Sequence, residues 1–142
     1  MKGKILVTIQ FSCIALLAIL SNWLSLPWWS FLLLFLSAIL AFWAMAAMRL
    51  GNFNIVPTPV DEGTMVSRGP YKLIRHPMYS SIFIFALALL AGEFDYYKLF
   101  ISLVLVAGLV TKMFYEENLL CKHYPEYKEY MKKTKRVIPF IW

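Results

Sequence analysis

Apolar residues in this chain fall in long runs with almost no polar interruption, separated by short polar breaks, rather than at helical or alternating spacing. A run with no polar face has no side to present to water, so lipid is the expected surrounding. Four runs are predicted as spanning helices, over 5–23, 28–48, 78–92 and 97–115. Ile5 to Trp23 follows Lys2 and Lys4 and is long enough to cross a bilayer; Ser21-Asn22-Trp23 offers no small-x-small cleavage site, so it reads as a span rather than a signal peptide. Pro27 opens the second run where its missing N–H costs a helix little, and Trp23, Trp28 and Trp29 gather at the turn as interfacial aromatics do. The first two spans are therefore expected to form a tight helical hairpin.

The third run, Met78 to Gly92, is short enough to be re-entrant by length alone. Charge decides in favour of a span. If it spans, Lys2 and Lys4 share the cytoplasmic side with Lys128, Lys132, Lys133, Lys135 and Arg136, while the turn carrying Glu93 and Asp95 faces outward. The expected architecture is an all-α membrane protein, one membrane domain of about four transmembrane helices with both termini cytoplasmic. A loop over 49–77 and a tail over 116–142 carry the polar chemistry at one face. Gly51, Pro57, Pro59, Gly63, Gly69, Pro70 and Pro77 break that loop too often for a continuous helix.

Composition agrees. The chain has 142 residues, of which 61% are hydrophobic, and a soluble core of this size would not hide that share. The net charge of +6 lies beside the ends of the apolar runs, a pattern of membrane topology and anionic headgroups; no nucleic-acid partner is expected. Cys13 and Cys121 fall at different depths, so no disulfide is expected. With neither an HExxH pattern nor an Exx-His pair, no metal is expected either.

Two constellations carry candidate chemistry. Gly69-Pro70-Tyr71-Lys72-Leu73-Ile74-Arg75-His76-Pro77-Met78-Tyr79 leads into the third run, and Pro77 biases His76 away from helical geometry, putting it at a sharp loop-to-helix junction. Backbone N–H groups near Met78, Tyr79 and Ser80 would be free there for an anion, with Arg75 and His76 beside them. The alternative is that Arg75 snorkels to headgroups while His76 caps the helix. The second constellation is Glu116-Glu117, whose side chains point about 100° apart on a helix. They are candidate partners for Arg75, Arg136 or a cationic ligand; alternatively they form a solvated helix end with a Lys112–Glu116 pair.

These residues resemble the integral membrane methyltransferases that include isoprenylcysteine carboxyl methyltransferase, its bacterial relatives and the phospholipid N-methyltransferases. The resemblance rests on Gly69-Pro70-Tyr71, Arg75-His76-Pro77-Met78-Tyr79, a hydrophobic hairpin, Glu116-Glu117, Tyr127 and Arg136-Val137-Ile138-Pro139, over roughly residues 51 to 139. It implies S-adenosyl-L-methionine as cofactor, bound at the cytoplasmic face of an integral membrane protein, the inner membrane if bacterial. It further implies that Tyr71, His76, Pro77, Tyr79, Tyr127 and one of the two glutamates, with Glu117 a candidate, contact the cofactor. Arg75, Glu116, Glu117 and Arg136 would be the catalytic set, the arginines orienting a carboxylate or an acidic acceptor. The acceptor would be a lipophilic small molecule, lipid or lipidated substrate with a carboxyl, amine or thiol group. Tyr71, Tyr79 and Tyr127 would wall its pocket or simply pack. The competing reading is a non-catalytic membrane scaffold or subunit whose basic loop and tail hold anionic lipid or an acidic partner.

Overall fold

A computed structural model describes residues 2–48 and 65–142. The part of the expected cofactor loop over 49–64 lies outside the described residues. Five α-helices account for most of the described chain: α1 (Lys2–Leu20), α2 (Trp28–Ala47), α3 (Pro77–Gly92), α4 (Tyr96–His123) and α5 (Tyr127–Lys133), with a 3-10 helix at Gly69–Lys72 before α3. No strand occurs among the described residues; one isolated parallel bridge joins Ile74 to Lys135. Three helices, α1, α2 and α4, are long and apolar enough to cross a membrane, while α3 has 16 residues.

The pairing of helices differs from the hairpin expected of the first two runs. α1 packs along α4 and α2 packs along α3, with α3 touching both α1 and α4; α1 and α2 share only a short connection. The reason lies in side-chain size. Ser30, Ser37, Ala44 and Ala47 are the buried residues of α2, and the first three recur every seven positions as one stripe of small residues. In lipid, helices associate where small residues let backbones approach and hydroxyls bond across. Ser37 Oγ donates to Ser81 O of α3 at 2.8 Å, and Gly92 of α3 faces Ser30, leaving no room for a Cβ. α1 instead buries Gln10, Cys13 and Leu17. Its Cys13 and Leu17 join Leu105, Leu109 and Met113 of α4 in the core, with Leu89 of α3 and Val137 of the tail.

Helix ends follow local chemistry. Asp95 caps α4, its side chain accepting from the backbone N–H groups of Tyr97 and Lys98. On the same side, Glu93 accepts from the Asn22 N–H at 3.0 Å and from Lys98 Nζ at 2.7 Å, tying the two short connections together. These partners hold the Glu93 carboxyl below its usual range. α4 runs past the apolar stretch through Glu116 and Glu117 to His123, as expected of a helix leaving the membrane.

Before α3, Arg68 Nε donates to Ala47 O at 2.8 Å and ties the incoming chain to the end of α2. Gly69 follows with φ +58°, and a Cβ there would come within 2.9 Å of Ala47 Cβ. Gly69→Ala is therefore expected to lower stability by about 1–2 kcal/mol, the cost of a left-handed alanine. Unfolding in mixed detergent micelles, followed by circular dichroism, measures it.

Candidate active site

The site forms where the chain entering α3, the end of α4 and the tail meet. Leu73 to His76 runs beside Lys135 and Arg136: the Arg75 N–H donates to Lys135 O at 2.7 Å, the His76 N–H to Arg136 O at 2.9 Å, and the Lys135 N–H to Leu73 O at 3.1 Å. Ser80 Oγ adds a bond to Val137 O at 2.7 Å. Below this seam, the Tyr130 hydroxyl donates to Tyr71 O, fastening α5 to the 3-10 helix.

Pro77 occupies the first position of α3, and His76 before it has φ −126° and ψ 57°, outside the helical region, as the proline demands. Of the N–H groups expected to be free at the start of α3, those of Tyr79 and Ser80 are bonded. The Tyr79 and Ser80 N–H groups both donate to His76 O at 3.0 Å, so that carbonyl closes the first turn on itself.

The two glutamates divide sharply. The Glu117 side chain is 5% exposed. Its Oε1 accepts from Arg75 Nε at 2.8 Å and lies 3.3 Å from His76 Nε2. Its Oε2 accepts from Arg136 Nε at 3.1 Å. Arg75, 6% exposed, also donates from Nη1 to Met131 O and Thr134 O. Its guanidinium is thus enclosed by protein, against the snorkelling alternative. Arg136 lies over the Phe114 ring at 4.7 Å and near Trp142 at 5.9 Å.

The Glu116 side chain is 20% exposed. Its Oε1 accepts from the Tyr79 hydroxyl at 2.6 Å, and Oε2 lies 3.7 Å from His76 Nδ1. The imidazole therefore sits between the carboxylates, one nitrogen toward each, with its ring stacked on Tyr79 at 5.3 Å and 3°. The Lys112–Glu116 ion pair of the alternative reading is absent among the described residues, since Lys112 turns to Gln10 and to the face of Tyr79.

Arg75, His76, Pro77, Tyr79, Glu116, Glu117 and Arg136 thus lie in one cluster. Tyr71 and Tyr127 are buried beside it, Tyr71 packing with Ala44 and Ala47 and Tyr127 against Tyr130. Burial pushes both phenols up, with carboxylates nearby adding to the effect. The sequence reading missed Thr134 and Tyr130, which seat Arg75 and Tyr71. No motif marks them, because they act through backbone carbonyls across distant segments. Gln10 and Lys112 had a visible signal: an amide and an ammonium inside otherwise apolar runs.

Most of the chain, residues 25–127, matches the family model described as phospholipid methyltransferase. The chain belongs to this family. It is a membrane methyltransferase, and its paired glutamates and the Arg75-His76-Pro77 junction lie within the matched span, whereas α1 and the tail beyond Tyr127 lie outside it. A search of the curated proteins found no match.

Two measurements test this geometry. Glu117→Ala leaves two largely buried guanidiniums without their carboxylate and is expected to destabilise by about 3–5 kcal/mol, whereas Glu116→Ala loses a bond from a partly exposed group and costs about 1 kcal/mol; detergent unfolding of both variants gives the comparison. Burial also pushes Tyr130 up to about 12, against Arg75 and Thr134, which favour its phenolate. Unfolded Tyr130 releases its proton near pH 10 and the folded residue holds it longer, so its stabilising contribution is complete below about pH 10 and lost on going up to about 12. An unfolding series across that window, compared with Tyr130→Phe, reads the difference; the variant should show a shallower loss.

Proposed function

We propose that this methyltransferase uses S-adenosyl-L-methionine and acts on a lipophilic or membrane-embedded acceptor, bearing an amine, carboxyl or thiol, at the cytoplasmic face. The observation that carries the reading is the division of the carboxylates. Glu117 is consumed by Arg75, Arg136 and His76, while Glu116 remains partly exposed and keeps acceptor capacity on both oxygens. A ligand with an ammonium and a sulfonium needs such a carboxylate, and a ligand carboxylate needs donors, which the outer face of Arg136 offers. The donor set fits the cofactor.

In this reading Glu116 holds the cationic end of the cofactor, with Tyr79 and His76 setting the direction of its oxygens. Arg136, on its aromatic seat, orients an anionic group of cofactor or acceptor. Arg75 and Glu117 fix the junction so that His76 and Tyr79 cannot drift, and Pro77 fixes the backbone between them. Tyr71 and Tyr127 back the site with buried rings. The cofactor supplies a methyl group already activated on sulfur. The chain's task is then to position the acceptor in line and to exclude water, the contributions that dominate when no covalent help is required. α3 completes a four-span arrangement in this proposal, with the basic tail of Lys128, Lys132, Lys133 and Lys135 on the side where the soluble cofactor is found.

The test is calorimetric titration of the folded protein in nanodiscs with S-adenosylhomocysteine, alongside transfer of labelled methyl from S-adenosylmethionine to extracted membrane lipids. Wild type is expected to bind and transfer, and Glu116→Gln to weaken binding by about tenfold or more through loss of a charge-assisted bond. A folded wild type that binds no S-adenosylhomocysteine overturns the reading.

A further inference from the structure

α1 lies outside the residues matched by the family model, yet it reaches the site. It packs along α4 with Ile9 facing Gly108. One turn further along α4, Lys112 is only 4% exposed. Its Nζ donates to Gln10 Oε1 of α1 at 3.0 Å and lies 5.2 Å from the centroid of the Tyr79 ring. Among the described residues no carboxylate forms an ion pair with it.

An ammonium placed between a neutral amide and an aromatic face in a helix bundle is a poor source of stability, because an apolar side chain of similar length packs there without desolvation. What the ammonium does gain is a grip on the ring, since a cation over a desolvated aromatic face is strongly attracted to it, alongside a longer-range attraction to the Glu116 carboxylate. That ring belongs to the residue whose hydroxyl donates to Glu116 at 2.6 Å. The chain Gln10, Lys112, Tyr79, Glu116 therefore connects α1 to the exposed carboxylate.

We propose that Lys112, anchored by Gln10, is a positioning residue for methyl transfer: its ammonium fixes the Tyr79 ring and so the direction of the hydroxyl that orients Glu116, which makes α1 part of the site. The proposal rests on the methyl-transfer reading for its kinetic consequence and on the geometry alone for its structural one. Misalignment of an orienting hydroxyl lowers the rate of a reaction driven by positioning more than it weakens ligand binding.

The experiment has a ligand-free arm and a kinetic arm. In the first, 3-fluorotyrosine is placed at position 79 and its fluorine resonance is recorded in nanodiscs for the parent, Lys112→Met, Gln10→Leu and Gln10→Glu. A shifted or broadened resonance in Lys112→Met and Gln10→Leu, with the parent signal retained in Gln10→Glu, supports the proposal; an unchanged resonance in Lys112→Met overturns it. In the second, labelled methyl transfer to extracted membrane lipids is measured for the same variants without fluorine, with circular dichroism confirming the fold. The expected result is a fall in kcat of about tenfold in Lys112→Met and Gln10→Leu, with KM for S-adenosylmethionine within about twofold of the parent, and recovery in Gln10→Glu. A kcat within twofold of the parent in a folded Lys112→Met overturns it. Failure of the parent to bind S-adenosylhomocysteine would count against the methyl-transfer reading, while the fluorine arm still decides the coupling between Lys112 and Tyr79.

Discussion

The arrangement at the membrane face depends on one buried carboxylate. Glu117 lies between Arg75, Arg136 and His76, which come from the chain entering α3 and from the tail, while the glutamate itself belongs to α4. An ionised carboxylate enclosed by protein is tolerable only if opposite charges and donors replace the water it has lost. That requirement brings three remote segments to one point. The parallel seam between Ile74 and Lys135, the bonds from Arg75 to Met131 O and Thr134 O, and the seat of Arg136 on Phe114 are consequences of the same closure.

Because one glutamate is consumed in closing the structure, its neighbour is left available. Adjacent residues on a helix point about 100° apart, so the pair Glu116-Glu117 divides into a buried carboxylate and a partly exposed one. His76 spans the two, and Tyr79 joins it by stacking on its ring and donating to Glu116. The proposed chemistry needs this separation. A carboxylate already neutralised by two guanidiniums would have little attraction left for a cationic ligand.

The helix bundle beneath follows a different rule. In lipid, apolar surface does not select partners, so small residues and buried polar groups do. The Ser30, Ser37 and Ala44 stripe gives α2 to α3, and the Gln10 to Lys112 bond contributes to giving α1 to α4. The hairpin expected from the short connection between α1 and α2 gave way to these contacts, since a connection limits distance and does not choose a packing face.

By itself the sequence determined the membrane class, from apolar runs that only lipid can surround, and the helix boundaries near Pro27, Pro77 and Asp95, from residues whose backbone or side-chain chemistry acts locally. It also marked Arg75, His76, Glu116 and Glu117, because polar groups at the ends of apolar runs stand out against them, while Pro77, Tyr79 and Arg136 joined the set through the family resemblance. Only the tertiary structure decided which glutamate is buried, that Lys112 turns from Glu116 to Gln10, and that Thr134 and Tyr130 serve Arg75 and Tyr71. Each of these depends on segments tens of residues apart meeting at hydrogen-bond distance, and spacing along one chain carries no record of which distant partner will satisfy a buried charge.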